Sequence, residues 1–151
     1  MDTDHKEFLA AAHLKFSKFK ELSEQSGPDV AWEKMLEGFP EQQQHRMSPF
    51  IANATLAEGF TKAIPFFKSA GMEMEVVDIS NRGIDAVLEI QKYCPYLLIC
   101  KEHCFATPCH VICEMHIEAT RRSFPKMQGK LLSRQALGDC ICLFKYERQA
   151  K

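Results

Sequence analysis

The chain has 151 residues, 46% of them hydrophobic and 26% charged, with a formal net charge of −1. That length buries a sizeable core as a single domain over 1–151, and the composition excludes a disordered chain. The near-neutral balance argues against a nucleic-acid footprint or a polybasic membrane patch, and no apolar run reaches the length of a membrane span.

In chain order, Asp4 to Ser26 reads as a helix, with Asp4 and Glu7 as a capping-box pair. Phe8, Leu9, Ala12, Phe16 and Phe19 form its apolar stripe. Gly27-Pro28 ends it, and a second helix carrying Trp32 stops near Gly38. Glu41 to Arg46 is a short polar helical segment. Ser48-Pro49 reads as cap and first residue of the next helix, with Leu56, Phe60, Ile64 and Phe67 on one face. Pro65 should kink that helix, and Gly71 fits its C-terminal end. This gives a helical part over 1–71.

Met72 to Ser80 and Ile84 to Tyr93 read as strands joined by the turn residues Asn81-Arg82-Gly83. In the second, Ile84, Ala86, Leu88 and Ile90 alternate with Asp85, Glu89 and Gln91, as in a half-buried strand. Pro95 to Cys104 is a short helix. Thr107-Pro108 opens a longer one that ends before Pro125. Lys130 to Leu137 and Cys140 to Glu147 form a second hairpin across Gly138-Asp139. The part from 72 to 148 is therefore hairpin, two helices, hairpin. The expected fold is α+β, with four antiparallel strands and helices on one face.

Five of the seven cysteines lie between Cys94 and Cys113, among His103, His110 and His116. Met1-Asp2-Thr3-Asp4 does not open like a signal peptide, so the expected compartment is the cytoplasm, where thiols stay reduced. The odd number of cysteines argues further against a disulfide framework. On the helix from Pro108, Cys109, Cys113 and His116 stand at i, i+4 and i+7, on one face. They read either as small buried groups or as the thiol-and-imidazole lining of a pocket. Cys109 sits in the first turn, where the helix dipole favours a thiolate. Cys100, Cys104, Cys109 and Cys113 make two CxxxC pairs, which suit a metal or cluster in chemistry but not in the usual zinc-knuckle spacing. No cofactor is expected, with a Cys/His metal or haem site as an alternative. Arg134 could hold a substrate carboxylate bidentately or be an ordinary surface arginine, and Asp139 could simply shape its turn.

Three motifs come in order: Cys94-Pro95-Tyr96, then Cys109-x-x-x-Cys113, then Arg134-Gln135-Ala136-Leu137-Gly138-Asp139-x-x-Cys142-x-Phe144-x-Tyr146. Together, over roughly Met74 to Tyr146, they resemble the L-2-amino-thiazoline-4-carboxylic acid hydrolase family. The resemblance implies hydrolysis of a cyclic amidine by addition of water at its C=N carbon. Cys94, Cys109, Cys113, Gly138, Asp139, Cys142 and Phe144 fall on motif positions. The family favours Asp where this chain has His116 and Leu143, so His116 would replace a carboxylate as general base. The last strand is also similar to vinyl-reductase-like ligand-binding domains, some of which bind zinc. Leu131 and Arg134 stand where their zinc-binding Glu and Cys would be.

The expectation is thus a small-molecule hydrolase with a cysteine-lined pocket. Cys113, Cys109, His116 and Asp139 would be catalytic, and Arg134, Cys94, Cys142 and Phe144 would bind substrate. The alternatives are a non-enzymatic vinyl-reductase-like binding module and a metal or haem protein. A small molecule is the expected partner, with neither nucleic acid nor membrane. The 11 Phe and 7 Met are compatible with an apolar face shared in a homo-oligomer.

Overall fold

The computed structural model describes residues 3–150, with side chains from His5 onward. The Asp4 side chain of the expected capping box lies outside the described residues. Four helices come first: α1 (Thr3–Ser26), α2 (Pro28–Leu36), α3 (Phe39–Ile51) and α4 (Leu56–Ser69). The hairpin of β1 (Met74–Asp78) and β2 (Ile84–Gln91) follows. Next come α5 (Leu97–Glu102), a π-helical turn (His110–Glu114) and α6 (Met115–Ser123). β3 (Gln128–Ser133) and β4 (Cys142–Gln149) close the chain. The fold is α+β, and the sheet is antiparallel in the order β1-β2-β4-β3.

Several boundaries differ from the sequence reading. Ser48-Pro49 does not open a helix. Pro49 lies within α3, and the Ser48 hydroxyl donates back to the Gln44 carbonyl. The cap of α4 is Thr55, whose side chain accepts the Glu58 N–H at 3.1 Å, satisfying an amide that the helix itself leaves free. Arg134 is not on a strand, because β3 ends at Ser133 and Gln135–Leu137 is a 3₁₀ turn. Between the first hairpin's strands, Arg82 and Gly83 both take positive φ, the backbone that closes a tight antiparallel turn.

The larger difference concerns β2. Asp85, Val87, Glu89 and Gln91 are all buried, while on the opposite face Ala86 is buried and Ile84, Leu88 and Ile90 are half-buried. The register with β4 explains the choice. Val87 lies opposite Tyr146, Glu89 opposite Phe144 and Gln91 opposite Cys142, and residues directly opposite share a face. Phe144, Tyr146 and Val87 pack with Met47, Leu56 and Phe60 of α3 and α4 in one core cluster. Burying two aromatic rings of this kind gains several kcal/mol. That gain turns the three polar residues of β2 inward with them.

Asp85 and Arg148 show how one of those acids is accommodated. The Asp85 carboxylate accepts from Arg148 Nε at 2.8 Å and from the Leu56 N–H at 3.0 Å. The other Arg148 nitrogens donate to the carbonyls of Ile51 and Asn53. A paired, fully hydrogen-bonded charge can be buried. Here the pair ties the α3–α4 connection to the sheet.

Candidate functional site

A partly open cavity of about 670 Å³ lies between α1, the α4–β1 region, the π-helical turn and the inner face of the sheet. It is of a size that takes small molecules. Phe8, Phe67, Phe144 and Tyr146 supply aromatic wall, and Met72 and Met74 supply softer surface. Phe66, 54% exposed, and the exposed Arg46 mark the mouth. Polar chemistry enters the same space from Lys15, Glu89, Gln91, Tyr96, Cys113 and His116.

Glu89 is the most unusual of these. It is 5% exposed, and its Oε2 has no hydrogen-bond partner among the described residues. Burial alone raises its carboxyl from 4.5 to about 7. The contrast with Asp85, four residues earlier on the same face, is direct. One acid has a guanidinium and an amide, and the other faces the cavity with neither. An unsatisfied buried carboxyl is costly to keep, and such groups cluster where proton transfer or ligand recognition occurs.

His116 projects from α6 into the same cavity. Gln43 Nε2 lies 3.2 Å from its Nδ1 and also donates to the Thr120 hydroxyl at 3.1 Å. Burial, then the charges of Lys15 and Arg46, lower His116 to about 4. The ring is therefore neutral at pH 7 and can give or take one hydrogen bond at each nitrogen. Cys113 lies on the π-helical turn, where Glu114 N–H bonds to the Cys109 carbonyl, five residues back. Such single π turns often occur at functional positions. Burial, followed by the neighbouring Cys109, pushes the Cys113 thiol far up. It stays protonated at neutral pH, so it lines the cavity as a thiol rather than attacking as a thiolate.

The remaining expected residues lie elsewhere. Cys94, Cys109 and Cys142 are buried beside Cys113, close enough for their charges to interact, but outside the cavity lining. Burial raises Cys94 to about 11. The Gln135 N–H donates to the Cys142 sulfur at 3.4 Å. Among the described residues, no three His, Cys, Asp or Glu side chains are placed to hold a metal ion. Asp139 is exposed and accepts the Arg134 N–H at 2.7 Å, which fixes the loop between β3 and β4. The Arg134 guanidinium donates to Glu114 at 3.0 Å and does not line the cavity. Of the expected site residues, the cavity gathers Cys113, His116 and Phe144.

Lys15, Arg46, Glu89 and Gln91 were not expected as site residues from sequence, and Tyr96 stood only as part of the Cys94-Pro95-Tyr96 motif. Two signals were available. Lys15 falls within the apolar stripe of α1, three residues after Ala12 and seven after Phe8. Glu89 and Gln91 belong to an alternating strand in which either face could be the buried one.

The chain matches no protein-family model and no curated protein.

Proposed function

We propose that the protein is a small-molecule hydrolase and that the cavity is its reaction chamber. The observation that carries this reading is Glu89, a buried carboxyl without a partner, facing the same space as the neutral imidazole of His116. A carboxyl near 7 is matched to proton transfer at neutral pH. The substrate class comes from the resemblance of the Cys94-to-Tyr146 motifs, a cyclic amidine such as an aminothiazoline carboxylate. Ionised Glu89 takes a proton from water as the water oxygen bonds to the C=N carbon. Glu89 returns that proton to the ring nitrogen, and as one ring bond to that carbon breaks, the added hydroxyl gives up its proton to the departing ring atom and becomes a carbonyl. His116 hydrogen-bonds to the substrate or the water. Cys113 shapes the wall, and its raised pKa assigns the nucleophile to water rather than sulfur.

The test is loss of ring absorbance when the protein is given aminothiazoline carboxylate. Turnover is expected, and Glu89→Gln should lower kcat/KM by about 100-fold or more. Full activity in Glu89→Gln would remove the assigned base. A second reading rests on the aromatic and methionine wall, which suits an apolar ligand held without reaction. Absence of turnover, with a small apolar molecule retained in the native mass spectrum, would favour that non-enzymatic binding role.

A further inference from the structure

Lys15 and Arg46 form a cationic pole in the cavity that no acid among the described residues pairs with. Lys15 is half-buried, with its ammonium 4.7 Å from the centre of the Phe39 ring. Among the described residues neither cation makes an ion pair or a hydrogen bond, whereas Arg148, Arg122, Arg121 and Arg134 all do. The three groups Lys15, Arg46 and His116 line the same cavity, and the Phe39 ring under the Lys15 ammonium also meets the His116 ring edge-on at 6.5 Å. In keeping with this, burial and then Arg46 depress the Lys15 ammonium, and both cations depress His116.

The two acids that line the cavity do not answer this pole. Glu7 is exposed and eight residues before Lys15 on α1, about 12 Å along the helix axis. Glu89 owes its raised pKa to burial, with no cation acting on it. The cavity is therefore bipolar, with unpaired cations at one place and an unpaired carboxyl at another. Holding a lysine in a desolvated position beside an arginine is unfavourable unless an anion joins them.

We propose that Lys15, Arg46 and His116 form an anion subsite holding the acid group of a small amphipathic anion, whose apolar body lies against Phe67 and Phe144. This rests on the reading that the cavity binds a small molecule, and it specifies which molecules. It also places acid recognition on Lys15 rather than on Arg134, whose guanidinium is engaged by Glu114. An anion there gains a charge-assisted hydrogen bond from the ammonium and relieves the repulsion between the cations. The aromatic wall contributes burial of the ligand's apolar part.

Two fluorescent probes isolate the charge. Anilinonaphthalene sulfonate and phenylnaphthylamine share one aromatic skeleton and differ by the sulfonate. Wild-type protein should bind the sulfonate about tenfold or more tightly than its uncharged counterpart. Lys15→Met keeps the length of the side chain and removes the charge. It should abolish that preference while binding of the uncharged dye changes less than about twofold. Unchanged circular dichroism and melting would show that the variant is folded, and Arg46→Gln gives an independent second reduction. Equal binding of both dyes by wild type, a preference that survives Lys15→Met, or no binding of either dye would overturn the subsite. The dye preference and the turnover assay fail separately. A preference without turnover upholds the subsite and refutes the hydrolytic reading, and turnover without a preference does the reverse.

Discussion

At the scale of the residue, two acids on one strand have opposite solutions to burial. Asp85 is 4% exposed and is neutralised by Arg148, while Glu89 is 5% exposed and has no cation. Their difference gives stability a pH dependence with a definite sign. The folded protein holds the Glu89 proton up to about 7, against 4.5 for the ordinary carboxyl. Between those values the native state binds more protons than the unfolded state, so this group's contribution is complete below 4.5 and is lost as pH rises through 7. The full shift corresponds to about 3 kcal/mol. Glu89→Gln keeps the shape and removes the titration. Its melting temperature should match wild type near pH 4.5 and exceed it increasingly toward pH 8. A difference that stays constant with pH would contradict the assignment. His116 contributes with the opposite sign. Its value of about 4 lies below the ordinary 6.5, so its contribution is present above 6.5 and lost as pH falls through 4.

At the scale of the element, the close approach of α3 and α4 depends on Gly59. A Cβ at this position would meet the Phe50 carbonyl oxygen at 2.0 Å. Alanine in a helix interior ordinarily gains about 1 kcal/mol over glycine. Here Gly59→Ala should instead destabilise by about 2 kcal/mol or more, read by urea unfolding, because backbone must move to admit the methyl. A stabilised variant would mean that the two helices are not packed so closely. The elements themselves were largely legible. Apolar stripes, Gly27, Gly71 and the Asn81-Arg82-Gly83 turn mark where α1, α4 and the first hairpin end. The Ser48-Pro49 signal misled because a proline in the last turn of a helix can imitate a first-turn proline. Thr55 was the effective cap. The phase of β2 was not legible, since alternation defines two faces but not which one is buried. Phe144 and Tyr146 on β4 settle it through register, and pairing across forty or more residues is not written in either strand alone.

At the scale of the whole molecule, the helical part and the sheet enclose a cavity whose chemistry comes from both. α1 provides Lys15, α3 provides Arg46, β2 provides Glu89, and the π-helical turn and α6 provide Cys113 and His116. The cysteine-rich stretch drew attention by its density, yet its cysteines are mainly packed groups around Cys113. Lys15 and Arg46 lie far from that stretch in sequence, Glu89 stands five residues before it on another element, and only folding assembles them. Lys15 on an apolar stripe and Glu89 on an alternating strand each have an ordinary surface reading until the two walls meet. The proposed reaction chamber therefore depends most on Glu89 being buried and unpaired inside the cavity. Carbon-13 NMR titration of carboxyl-labelled glutamate, with the signal assigned by its absence in Glu89→Gln, measures this directly. The Glu89 carboxyl should titrate at about 7. A midpoint near the ordinary 4.5 would place it in water or beside a cation, and would contradict both the inward-facing strand and the proton-transfer role built on it.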